Sequence, residues 1–140
     1  ELVVTKIQDY GIEHQVQLLG MIDDVMPYYK EAKALIVPSL SEGFGFITAE
    51  AMFSGCLVIG NDIAGTKEQF DNGLELTGKE IALRYTTQEQ LVQHLINVTN
   101  ELTEHYEQMI LRGQQVAIQL YSSEQHTQSV FKYYKEIISR

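Results

Sequence analysis

Four short apolar runs, at residues 16–19, 35–37, 57–59 and 81–83, recur along the chain with helical patterns between them. Each is rich in Val, Ile and Leu and bounded by turn residues, as expected of strands buried on both faces. Strands that alternate with helices imply a parallel sheet, because parallel neighbours need a crossover long enough to hold a helix. Such crossovers are right-handed. The sequence therefore predicts an α/β, Rossmann-like fold. From Thr87 onward only helical periodicity remains, so the tail is helical.

The helical segments carry their own punctuation. Residues 1–12 read as a helix with no strand before it. Asp23 or Asp24 caps a helix running to Lys33, with Pro27 near its start. A third helix spans residues 45–54 and stops at Gly55. Residues 66–70 read as a short helix ended by Asp71, Asn72 and Gly73. Thr87 with Gln90 forms a capping box, followed by Leu91, Leu95 and Val98 on one face. Residues 101–121 continue helical. Ser123 caps a last helix with Val130, Phe131, Tyr134, Ile137 and Ile138 on its apolar side. Four strands make a thin sheet, and one or two more upstream would be usual. The 140 residues thus read as a single domain, truncated at its N-terminus.

Composition narrows the partners. Net charge is −9 and the pI is about 4.8. A nucleic-acid partner is disfavoured, because phosphate-backbone binding needs clustered Lys and Arg. No apolar run is long enough to span a bilayer. Lone Cys56 forms no internal disulfide, which suits a reducing, cytoplasmic setting. It follows Gly55 into a strand and reads as a core residue. His14, His94, His105 and His126 show no metal-ligand spacing.

Chemistry is concentrated between Pro38 and Met52, in the order Pro-Ser-Leu-Ser-Glu-Gly-Phe-Gly-Phe-Ile-Thr-Ala-Glu-Ala-Met. An apolar strand feeds a glycine turn, and a helix begins there. A helix N-terminus exposes backbone N–H groups that favour an anion such as a diphosphate. Glu42 and Glu50 bracket the turn. Ionised carboxylates only accept hydrogen bonds, so each can take two hydroxyls. At about 1.5 Å per residue the two lie roughly 10 Å apart, the span from a sugar across a diphosphate to a ribose. The plainer alternative makes Glu42 a solvated loop residue and Glu50 a helix-surface residue. The small and apolar neighbours Ala49, Ala51 and Met52 favour a half-buried Glu50, which would need partners. Gly43 and Gly45 are also ordinary turn residues.

At these residues the chain resembles the retaining glycosyltransferases of the GT-B fold, in particular the large group 1 (GT4) family. The resemblance rests on the E-x7-E spacing of Glu42 and Glu50 within Pro38-Ser39, Gly43-Phe44-Gly45, Ala51-Met52 and Gly55. It extends to Val16–Gly20 with Asp24 and Tyr28-Tyr29, and to Val58–Asp62 with Ala64–Glu68. It covers the chain from about Val16 to the C-terminus. The chain would then be an incomplete C-terminal half of the GT-B fold, the half that binds a nucleotide-sugar donor.

The resemblance implies roles. Glu42 would touch the donor sugar and be the catalytic residue. Ser41, Gly43, Phe44, Gly45 and Phe46 would form the turn that holds the diphosphate or sugar. Glu50 would take the ribose hydroxyls. Gly20, Met21 and Ile22 would pass the nucleobase. The donor would be a UDP- or GDP-sugar, with no other cofactor and no metal. The acceptor, a glycan or a lipid-linked sugar, would be met by a missing N-terminal domain. Polysaccharide assembly in the cytoplasm or at the inner membrane face would fit. An epimerase acting on sugar-nucleotides and a non-catalytic anion-binding module are the alternatives. Two positions depart from the family pattern. The glycine pair after the third strand is Ala64-Gly65, and the basic pair that holds the diphosphate has no counterpart. Lys6 is the only Lys or Arg before Lys30. Lys67 with Glu68 is either a solvated pair or reaches the diphosphate side. Tyr133 and Tyr134 would meet the missing domain.

Overall fold

A computed structural model describes residues 2–100, 103–125, 127 and 135. The sheet has three parallel strands in the order β1-β2-β3: β1 Ala34–Val37, β2 Leu57–Asn61 and β3 Leu83–Tyr85. β2 is central, with Ala34 beside Leu57 and Ile59 beside Leu83. The helices are α1 Leu2–Asp9, α2 Met26–Glu31, α3 Phe46–Phe53, α4 Ala64–Thr77, α5 Gln88–Asn100 and α6 Glu104–Tyr121. No helix among the described residues is long and apolar enough to cross a membrane.

The alternation of side chains along β2 divides the core in two. Val58 lies with Met52, Phe70 and Val116 on one side. Leu57 and Ile59 lie with Leu83, Val98 and Met109 on the other. α6 serves both clusters, through Val116 and Met109. It comes close to α3 at Gly113, where a Cβ would lie 3.1 Å from the Ile81 carbonyl oxygen and 3.5 Å from Met52.

Several expectations need correction. Residues 16–19 are not a strand. Val16 has extended dihedrals, but no described segment pairs with it, and Leu18 is 58% exposed. An extended segment becomes a strand only when a neighbour takes its amides and carbonyls. The fourth run enters the sheet at Leu83, two residues late, because Ile81 is used to pack against Gly73. That contact also explains why α4 runs through Asp71, Asn72 and Gly73 to Thr77. Gly73 gives room to Ile81, and the helix stops at Gly78, whose φ of 70° is left-handed. α2 ends at Glu31, short of Lys33, and Asp24 Oδ1 accepts from the Met26 amide at 3.0 Å.

The capping box stands: Thr87 Oγ1 accepts from the Gln90 amide, and Gln90 Oε1 from the Thr87 amide, both at 3.3 Å. After α6 it is Ser122, not Ser123, whose hydroxyl accepts from the amide three residues on, that of Gln125. Val130, Phe131, Tyr133, Tyr134, Ile137 and Ile138, like His126, lie outside the described residues.

Candidate functional site

The loop from Pro38 to Gly45 leaves the carboxyl end of β1 and meets the start of α4. Three neighbours take its carbonyls. Asn61 Nδ2 donates to the Ser39 oxygen at 3.0 Å. The Gly65 amide donates to the Glu42 oxygen at 3.3 Å. Gln69 Nε2 donates to the Phe44 oxygen and, at 3.1 Å, to the Gly45 oxygen. A trans peptide unit is planar, with its N–H opposite its C=O, and no cis bond is present among the described residues. Holding these carbonyls toward α4 therefore turns the amides of Gly43, Gly45 and Phe46 away from it. Gly45 caps α3 with φ 77°, a left-handed conformation that costs other residues about 1–2 kcal/mol. No side chain caps α3, and Thr48 N–H turns back to the Gly45 oxygen, so the amides of Phe46 and Ile47 are left for an outside acceptor.

The fit between loop and α4 is close. A Cβ on Gly65 would fall 1.9 Å from the Gly43 carbonyl oxygen. Its neighbour Ala64 has φ 48°, in the left-handed region. The turn thus survives the loss of one glycine, with strain stored in the alanine.

The two carboxylates differ. Glu42 is half-buried, and Ser39 Oγ donates to its Oε1 at 2.5 Å. Glu50 is exposed rather than half-buried. α3 buries Thr48, Ala49, Ala51 and Met52. At about 100° per residue, position 50 lies opposite the centre of that arc. Glu50 nonetheless has a partner: the hydroxyl of buried Tyr29 donates to its Oε2 at 3.4 Å. Burial raises the Tyr29 pKa, and the Glu50 charge raises it further, so the phenol stays a donor.

Ser41 is exposed. Phe44 stands edge-on to Phe46, with centroids 5.1 Å apart, and to Tyr121 at 5.2 Å. Gly20 has φ 66°, Met21 is fully exposed and Ile22 half-buried. Among the described residues, no hydrogen bond joins residues 20–22 to the loops after β1 or β2. Glu42 thus borders the turn and Glu50 lies one helical turn into α3 against Tyr29, while no hydrogen bond among the described residues ties residues 20–22 to either.

The nearby cations are engaged elsewhere. Lys67 pairs with Asp71 at 2.6 Å on the open face of α4, not with Glu68. Arg84 bonds Asp62, Asp71 and Glu80 at 3.0, 2.6 and 2.9 Å and lies over the Phe70 ring. Burial pulls its pKa down, but those carboxylates outweigh burial and raise it. A concavity of about 830 Å³ beside β3 and α6, reached by Lys79, His94 and Arg112, contains none of the residues expected at the site.

Sequence reasoning missed Gln69, Tyr121 and the role of Tyr29. The family resemblance had quoted Tyr29 and Asn61, but not their hydrogen bonds. For Gln69 the one signal was a polar residue beside Phe70 on the inner side of α4, and ending the helix there hid it. For Tyr121 no sequence signal existed.

Residues 2–116 match the family described as glycosyl transferases group 1. A 60-residue stretch, 41% of the chain, is 35% identical to an uncharacterized glycosyltransferase of Methanocaldococcus jannaschii and spans 15% of that protein. The fold superposes on sucrose-phosphate synthase from Thermosynechococcus elongatus with a TM-score of 0.82 and 21% identity. That match covers 98% of this chain and 34% of the synthase.

Proposed function

The chain belongs to the group 1 glycosyltransferases, and we propose that it is the donor-binding domain of one whose full length carries a separate acceptor-binding part. In this reading the donor is a nucleotide-diphosphate sugar, UDP- or GDP-linked. The acceptor is a glycan or a lipid-linked sugar. The single observation that carries the reading is the loop of Gly43, Phe44 and Gly45. The carbonyls of Glu42, Phe44 and Gly45 are held toward α4, which turns the amides of Gly43, Gly45 and Phe46 the other way, in the stretch of chain bracketed by Glu42 and Glu50.

The chemistry follows from that geometry. Transfer breaks the bond between the anomeric carbon and the diphosphate oxygen and forms one from that carbon to an acceptor hydroxyl oxygen, whose proton leaves with the diphosphate, where negative charge collects. Preorganised amides at a helix N-terminus stabilise such charge without reorganising. Glu42, held by Ser39, faces the developing positive charge on the sugar and accepts from its hydroxyls. Glu50, held by Tyr29, accepts from the ribose hydroxyls. Ser41 and Phe46 border the turn, and residues 20–22 pass the base. The sugar keeps its anomeric configuration. In this reading no metal is required, because the amides of the turn and the N-terminus of α3 take its electrostatic role. An epimerase has no evident need for this pair of carboxylates.

The test is calorimetry on the full-length protein with UDP and GDP. Replacing Glu50→Ala weakens binding by roughly 1–3 kcal/mol, nearer the lower figure because Glu50 is exposed. Glu42→Ala abolishes transfer while nucleotide affinity persists. Unchanged affinity in Glu50→Ala removes Glu50 from the site, and undiminished transfer in Glu42→Ala refutes the catalytic assignment.

A further inference from the structure

We infer that Gln69 is a positioning residue for the donor site, a latch that keeps the amides of the glycine turn facing the diphosphate. The inference rests on the donor-binding reading above. Gln69 is 1% exposed. Its Nε2 carries two hydrogens and meets two consecutive carbonyls, those of Phe44 and Gly45. Those carbonyls belong to the peptide units whose amides are Gly45 N–H and Phe46 N–H. One side chain therefore fixes the direction of two donors.

The latch has a physical need. Peptide planes beside glycine rotate with little steric resistance. A flipped unit between Phe44 and Gly45 would offer a carbonyl oxygen where the anion needs an amide, and attraction would become repulsion. The latch also carries a cost. Gln69 Oε1 is buried without a partner, and so is Thr48 Oγ1 beside it. An orphaned polar group costs about 1–3 kcal/mol, which Gln69 bears while its Nε2 satisfies the Phe44 and Gly45 carbonyls. A chain that accepts that loss next to a ligand loop gains orientation from it.

The experiment compares UDP with UMP, or GDP with GMP if GDP binds more tightly, on the full-length protein. The variants are Gln69→Met, which keeps the volume and removes the donors, and Thr48→Val, which removes the other orphan and leaves the latch. Gln69→Met is expected to lose about tenfold of the preference for diphosphate over monophosphate, ~1.4 kcal/mol, with monophosphate affinity kept. Thr48→Val keeps the wild-type preference. A wild-type preference in Gln69→Met overturns the latch. Failure of the wild type to bind either diphosphate overturns the donor reading itself. If Gln69→Met does not fold, wild-type protein labelled with ¹⁵N-glutamine answers the question. The Gln69 side-chain amide signals shift with UDP and not with UMP; signals that ignore UDP overturn the latch.

Discussion

Replacing Gly65 by alanine tests the seam between α4 and the glycine turn. The new Cβ would lie 1.9 Å from the Gly43 carbonyl oxygen, 2.8 Å from the Gly43 carbonyl carbon and 2.9 Å from that of Phe44. A carbon and an oxygen seldom approach within about 3.3 Å, so loop and helix must part by roughly 1.4 Å. The obstacle is backbone, and no rotamer change removes it. Overpacking of this kind costs ~1–3 kcal/mol and occasionally more, and a rigid obstacle places Gly65 at the top of that range. Alanine returns about 1 kcal/mol as the better helix former. The net loss is about 2 kcal/mol, a melting temperature lower by roughly 5–8 °C for a domain of this size. The amide of Gly65 also leaves the Glu42 oxygen, and a shift above 1 Å at a reacting site reduces turnover on the order of a hundredfold. Thermal melting and sugar-transfer rates of the full-length protein measure both. A melting temperature at or above wild type, with transfer intact, refutes the argument.

Gly73→Ala meets only the Ile81 side chain, at 2.2 Å. It should therefore destabilise by about 1–2 kcal/mol and be partly rescued by Ile81→Val, which removes the carbon at 2.2 Å and leaves one at 2.7 Å, as chemical denaturation of the single and double variants will read. Ala64→Gly relieves a left-handed alanine at about 1–2 kcal/mol and gives back about 0.4–1 in chain entropy. A melting temperature slightly above wild type is expected, and a lower one contradicts the strain. Burial raises the Cys56 thiol pKa, so at pH 8 a thiol reagent labels the folded protein far more slowly than the urea-unfolded one; equal rates contradict the burial. The hydrogen bond from Lys67, then that from Arg84, lowers the Asp71 pKa below 3.8. A depressed carboxylate stabilises the fold above its unfolded pKa and loses that contribution as pH falls through the folded value. Asp71→Asn therefore flattens the acid limb of stability below about pH 4. The effect is small and fades in salt because the pair is exposed.

What the sequence disclosed follows a physical line. β1, β2 and the beginning of β3 were legible because short continuous apolar runs bounded by turn residues mark the strands of a parallel sheet, although Ile36 of β1 stays exposed. The turn at Gly45 and the box at Thr87 and Gln90 were legible because local backbone needs dictate residue type. The run at residues 16–19 had the right composition, but pairing is a property of the neighbour and not of the run. Gly73 read as a stop, although here it is a gap cut for Ile81. The exposure of Glu50 was in fact computable from the phase of α3. The hydrogen bonds from Tyr29 and Gln69 join residues 21 and 25 positions apart, beyond the reach of any local pattern.

The ring contact between Phe44 and Tyr121 has a consequence for the order of assembly. Tyr121 also accepts from Asn72, which lies 49 residues earlier. At about 5–20 residues per second of synthesis, α4 waits roughly 2–10 s for the residue that closes over it. During that interval Phe44 lacks its last ring neighbour. A nascent chain of this protein therefore leaves the Phe44 edge that Tyr121 covers open for seconds, until the end of α6 arrives.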